Sequence, residues 1–143
     1  MLGSMGGVQG LRVADLFCGS GALGIEALSR GAGSVLFVDA DPAALAATQA
    51  NVEAVGLAGP SARYLRGKLP GLALPAMDLI LADPPYDLEL DEEFLGGLDA
   101  ETIVVESKLS PPVPEGWASH RQRHYGGTIV SVLRRSTHHE DAS

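Results

Sequence analysis

Thiols are nearly absent: a single cysteine, Cys18, allows no disulfide within the chain, and no Cys/His spacing closes a zinc site. No run of about 18 apolar residues exists to span a bilayer. The N-terminus lacks the positively charged segment and apolar run of a secretory signal, so a soluble, cytoplasmic protein is expected. Positive charge is scarce, with 10 Lys and Arg against 18 Asp and Glu and a formal net charge of -8. Taken alone, that balance counts against a polyanionic partner. Repeats, low-complexity tracts and linkers are missing as well. The 143 residues make one domain, long enough to bury roughly two-thirds of its unfolded surface but too short for a second.

What is present alternates between strand and helix patterns. Leu11 to Phe17 reads as a buried strand, and a Gly-rich turn leads from it into an apolar-periodic helix, Ala22 to Ser29, that stops at Gly31. Ser34 to Val38 is a second strand. Asp41 and Pro42 then sit where an N-cap and a first helical residue belong, opening an Ala-rich helix to about Val55. Ala62 to Leu65, Met77 to Ala82 and Thr102 to Val105 are further strands, with a weak helix around Asp91 to Leu98. Ser119 to Tyr125 and Thr128 to Leu133 form a hairpin about Gly126-Gly127. The expected fold is an α/β doubly wound, mostly parallel sheet of about seven strands with an antiparallel C-terminal hairpin at its edge. Residues 11–135 would fold, between a disordered or cloning-derived start (1–10) and a disordered tail (136–143).

Gly19-Ser20-Gly21-Ala22-Leu23-Gly24 is a G-x-G-x-x-G turn between strand and helix, and Asp39 lies 20 residues past Gly19 at the end of the second strand. This combination sets glycine backbone against an adenosyl cofactor and a carboxylate on its ribose hydroxyls. It fits a dinucleotide as well as S-adenosylmethionine. Asp15, four residues before Gly19, favours the second, because an acid there can hold the amino end of a methionine moiety and would repel a pyrophosphate. The plainer alternative is that Asp15 orders the loop backbone. Cys18, inside the loop, reads as a small packing residue.

Asp83-Pro84-Pro85-Tyr86 follows the fourth strand, at the carboxyl edge of the sheet where ligands bind in such folds. An exocyclic amine on a base is a poor nucleophile because its lone pair is delocalised into the ring. The Asp83 carboxylate and the Pro84 carbonyl can accept its two hydrogens and localise that lone pair. Pro85 stiffens the loop, and Tyr86 can stack on a base turned out of its helix. A Pro-stiffened turn with an Asp cap is the structural alternative. Charge is uneven: residues 86–106 carry eight acids and no Lys or Arg. Arg63, Arg66 and Lys68 form one basic group and Arg121, Arg123, Arg134 and Arg135 another, each ordinarily read as a solvated face.

With these residues in view, the chain resembles the bacterial 16S ribosomal RNA guanine-N2 methyltransferases of the RsmD type, whose fold is a Rossmann-like class I methyltransferase domain. The likeness spans about residues 10–135 and rests on Asp15-Leu16-Phe17-Cys18-Gly19-Ser20-Gly21-Ala22-Leu23-Gly24, on Glu26-Ala27-Leu28-Ser29-Arg30-Gly31-Ala32, on Asp83-Pro84-Pro85-Tyr86 and on Val105-Glu106-Ser107. It implies methyl transfer to a guanine 2-amino group in 16S RNA or a partly assembled small ribosomal subunit. It also implies a monomer, no metal, and Asp15, Gly19, Ser20, Gly21, Asp39, Ala40 and Lys68 around S-adenosylmethionine. Asp83, Pro84, Pro85 and Tyr86 would be the catalytic loop. The family's N-terminal arm, rich in Arg and Thr, is not matched by the ten or so residues ahead of the first strand, so weakened RNA binding is expected. An adenine-N6 or other DNA base methyltransferase shares the tetrad and stays open, as does a non-catalytic assembly factor that binds the cofactor.

Overall fold

The computed structural model describes residues 7–85 and 87–136. Strand β1 (Arg12–Leu16) leads into helix α1 (Ala22–Ser29), then β2 (Ser34–Asp39), α2 (Pro42–Ala54), β3 (Ala62–Arg66) and β4 (Met77–Ala82). A short α3 (Glu92–Gly96) precedes β5 (Ala100–Ser107), and the chain closes with β6 (Trp117–Tyr125) and β7 (Thr128–Arg135). The sheet order is β3-β2-β1-β4-β5-β7-β6. β1 to β5 are parallel, whereas β7 runs antiparallel to β5 and to β6.

Because side chains alternate across a strand, the parallel strands feed two cores. Val13, Val35, Phe37, Leu79 and Leu81 pack on one face, with Ala27 of α1 and Val52 of α2. Leu16, Val38, Ile80, Ala82 and Ile103 pack on the other, with Leu95 of α3 and Leu69 from the connection after β3. Covered on both faces, the strands read as continuous apolar runs rather than alternating ones. Among the described residues no helix is long and apolar enough to cross a membrane.

Local chemistry fixes the helix starts. Asp41 caps α2, its carboxylate accepting from the Ala43 N–H at 2.9 Å, with Pro42 beside it as expected. α1 starts at Gly21, which offers no side chain to its orphan N–H groups. Asp15 supplies one from β1, accepting from the Gly24 N–H at 3.0 Å. The acid therefore caps a neighbouring element across the turn.

β5 and β6 begin two residues earlier than expected, and packing reaches past both ends of the expected 11–135 stretch. Residues 7–10 are not loose: Val8 is buried, and the Gly10 N–H donates to the Gly31 carbonyl at 2.9 Å. A ten-residue stretch rich in glycine gives no local sign of such packing, because its partners lie across the α1 to β2 turn. At the other end the Ser136 N–H donates to the Gly116 carbonyl at 2.7 Å, and the remainder of the expected tail lies outside the described residues. The hairpin enters the sheet through its second strand, leaving β6 as the edge. Arg135 anchors it, donating to the Leu98 and Ala100 carbonyls at 2.8 and 3.1 Å and lying 4.5 Å over the Trp117 ring.

Candidate active site

The turn after β1 is built by backbone geometry and clamped from α2. Phe17, Gly19 and Gly21 all have positive φ, at 57°, 56° and 83°. A bulky residue such as Phe17 adopts that region only where surroundings enforce it, at a cost of about 1 to 2 kcal/mol. Thr48 supplies part of the enforcement, donating from Oγ1 to the Gly19 carbonyl at 2.8 Å, and Asn51 donates to the Ser20 carbonyl at 2.9 Å. A Cβ on Gly21 would meet Thr48 Cγ2 at 2.6 Å, so this glycine is required by close approach as well as by φ. Nothing lies within 4 Å of the corresponding point at Gly19, which faces open space.

Asp39 closes the cradle. Its Oδ2 accepts from the Gly19 N–H and its Oδ1 from the Asp41 N–H, both at 3.0 Å, which fixes the carboxylate at the end of β2 and leaves each oxygen a further lone pair. Exposed Ala40 lies between these two acids, and exposed Lys68 follows Gly67, whose N–H donates to the Asp39 carbonyl at 3.1 Å. Asp15 is 2% exposed. Burial pushes its carboxyl up to about 7 against the lowering effect of the Gly24 bond, and the charges of Asp83 and Asp39 push the same way. Its observed contact is the loop-ordering one. Cys18 is buried against Thr48 and its thiol is raised to about 11 by burial, as suits a packing residue rather than a nucleophile.

The Asp83 loop follows directly from β4, whose Ala82 pairs with Leu16 of β1 on one side and Val105 of β5 on the other. That pairing brings Asp83 beside Glu106, close enough that each carboxyl acts on the other's titration. Partial desolvation raises both groups from their ordinary values, although Asp83 is an exposed residue, and the Asp83 charge raises Glu106 further. Both face a cavity of about 710 Å³ lined also by Pro84, Pro85, Lys108 and Thr128. This is ample for one planar base. Tyr86 lies outside the described residues.

The sequence reading missed Glu106, Thr48 and Asn51 as parts of the site. Glu106 stands in the Val105-Glu106-Ser107 run that helps carry the resemblance but has no assigned role there, and only the β4 to β5 register brings it to Asp83. Thr48 and Asn51 sit on α2 at positions whose polarity alone reads as helix surface. Asp15, Asp39 and Asp83, far apart in sequence, lie close enough that the charges of the last two act on the first. Acidic groups thus lie on both sides of the β1–β4 seam, at the glycine turn and at the Pro-stiffened loop. A ligand carrying a sulfonium and an ammonium group meets favourable potential there, while a pyrophosphate would not. These residues and the open space at Gly19 fit S-adenosylmethionine.

Parallel strands in this order, ended by an antiparallel seventh strand inserted beside the fifth, define a class I methyltransferase fold. The proposed methyltransferase yhhF of Escherichia coli has a similar structure, with TM-score 0.77 and 28% identity over 90% of this chain and 77% of that one. Residues 1–134 match the family described as Conserved hypothetical protein 95, and the chain belongs to that family. It is 31% identical to Ribosomal RNA small subunit methyltransferase D of Escherichia coli, over 88% of this chain and 69% of that protein. It is also 40% identical over 108 residues to the Ribosomal protein L11 methyltransferase of Aeromonas salmonicida, where it spans 28% of the relative's length.

Proposed function

We propose that this chain transfers the methyl group of S-adenosylmethionine to the exocyclic N2 amine of a guanine in 16S ribosomal RNA, free or in a partly assembled small ribosomal subunit. The observation that carries the reading is the carboxyl pair, Asp83 and Glu106, side by side in the wall of the cavity at the ends of β4 and β5, with β4 adjoining the β1 strand that leads into the glycine turn. A guanine presents two adjacent donors, its ring N1–H and its 2-amino group, and two neighbouring acceptors suit that edge. An adenine amine is flanked instead by a ring nitrogen that accepts, and an ionised carboxylate there would repel it. Descriptions of family relatives as ribosomal RNA methyltransferases support the same substrate class.

In this reading Asp39 holds the ribose hydroxyls, and Gly19 lets the backbone approach the adenosyl group. Asp15 and the surrounding acids hold the positively charged methionine end. When bound, the cofactor supplies an electrophilic methyl on sulfur. Asp83 and the Pro84 carbonyl accept the two amine hydrogens, turning the nitrogen lone pair toward that methyl, and Pro85 keeps both acceptors from relaxing. Methyl transfer would break the sulfur–methyl bond, leaving a neutral thioether and a cationic amine; that amine then loses a proton, for which the Asp83 and Glu106 pair is the adjacent acceptor.

The test is labelled methyl transfer to naked 16S RNA, to partly assembled ribosomal particles, to DNA and to ribosomal protein L11, followed by nucleoside and peptide analysis. N2-methylguanosine in the RNA arms is expected. Label confined to methyladenine, to DNA or to the protein would overturn the reading.

A further inference from the structure

The cavity receives one base, yet the strand that carries this base must continue over the protein surface on either side. Toward α3 that surface is acidic: Asp87, Glu89, Asp91, Glu92 and Glu93 are all exposed, and they repel phosphates. The other side is different. β6, β7 and their turn hold four arginines and no Asp or Glu, in a chain of net charge -8. Arg135 is taken up in anchoring the hairpin. Arg121, Arg123 and Arg134 are exposed.

Register decides which way these side chains point. Arg121 pairs with Val132, Arg123 with Val130 and Tyr125 with Thr128, and directly paired antiparallel residues share a face. Arg134, two positions beyond Val132 on β7, projects from this face too. The face is continuous with the cavity, because Thr128 lines it and Val130 pairs with Glu106, which also lines it. α1 and α2 pack over β1, β2 and β3 at the far end of the same sheet face. From Thr128 to Arg134 the hairpin runs roughly 20 Å at about 3.3 Å per residue. An aromatic ring, Tyr125, 55% exposed, stands at the cavity end and arginines follow away from it. A stacking platform followed by spaced cations is the chemistry that recognises a single-stranded polyanion.

We propose that the face of the β6–β7 hairpin bearing Tyr125, Arg123, Arg121 and Arg134 is the surface on which the RNA strand flanking the target base lies. This rests on the RNA reading above and adds the path of the strand. It also explains how a strongly acidic chain can take a polyanion, since its charge is segregated around the cavity mouth.

The experiment measures binding of naked 16S RNA across a salt titration, with S-adenosylhomocysteine calorimetry on each variant as the control for folding and cofactor binding. Changing Arg121, Arg123 and Arg134 together to Glu should cost at least about tenfold in RNA affinity and lower the slope of log affinity against log salt by about 2, the loss of three phosphate contacts. Arg63→Glu, on the opposite sheet edge, should cost little, and Tyr125→Ala should cost several-fold with the slope unchanged. If the triple Glu variant fails to bind S-adenosylhomocysteine, the triple Gln variant at the same exposed positions carries the test, with the same direction and slope expected. Parental affinity and slope in the arginine variants would overturn the surface and leave the RNA reading standing, as would a loss matched charge for charge by Arg63→Glu. Retained affinity with a changed oligomeric state would assign the face to a second copy of the chain and equally overturn it. A parent chain that neither binds nor methylates RNA would overturn both.

Discussion

Asp15 holds a conflict that the rest of the site exploits. Its carboxyl is nearly inaccessible, bonded to one N–H, and near two other acids, so in the free protein it retains its proton up to about pH 7. An unfolded Asp loses that proton near its ordinary value. Between the two, the folded state binds the extra proton, so folding stability falls as pH rises through roughly 4 to 7. Asp15→Asn keeps an acceptor for the Gly24 N–H but cannot ionise. Thermal melts from pH 5 to 8 should show a shallower loss of stability for the variant, together with weaker S-adenosylmethionine binding. An unchanged pH slope would show that Asp15 is not the titrating group. In the proposed reading Asp39 is the residue that meets the cofactor ribose. Asp39→Ala should weaken cofactor affinity roughly ten- to a hundredfold, the worth of a charge-assisted pair at about 1.5 to 3 kcal/mol, and calorimetry on the folded variant checks it. The Asp83 carboxyl is raised from its ordinary value by partial desolvation, so the single-turnover rate should climb with pH as Asp83 ionises. A pH–rate profile with no acid limb would contradict that role.

Among the elements, α1 depends most on its surroundings. It is one short helix with no cap of its own, fastened to the sheet by Gly24 against Phe37 and Val35. A Cβ at Gly24 would meet Phe37 at 2.4 Å and Val35 at 2.9 Å. Gly24→Ala gains helix propensity of about 1 kcal/mol, but overpacking a buried contact between fixed elements costs about 1 to 3 kcal/mol and displaces the cofactor turn. Denaturant unfolding should therefore show net destabilisation, and a stabilised variant would mean that α1 is free to shift. Elements with local signals were legible in the sequence. α1 and β4 fall on the expected residues, and the Asp41-Pro42 start of α2 is written in capping chemistry. What was not legible depends on pairing between distant strands. Nothing local says that β7 rather than β6 lies against β5, that Val8 packs under the α1 to β2 turn, or that Glu106 comes to Asp83. Of the four clustered arginines, local pattern cannot tell that Arg135 is structural while the other three are exposed.

Across the whole molecule the sheet divides the work. Its β1 and β2 ends carry the glycine turn and Asp39, and its β4 and β5 ends carry the Pro-stiffened loop, Glu106 and the cavity, with Asp15 beneath the seam. The two halves meet where Asp83 follows β4, the strand adjoining β1. If that division holds, a change at Asp83 alters the chemistry without altering the hold on the cofactor. The most direct measurement pairs calorimetry with a single-turnover assay on Asp83→Asn, using an RNA that the parent methylates. Asn keeps the shape and one acceptor but loses the charge. S-adenosylmethionine affinity should stay near the parental value while the methyl-transfer rate falls by about two to three powers of ten, as when one preorganised partner of a transition state is removed. A near-parental rate, or a loss traced wholly to cofactor binding, would contradict the account.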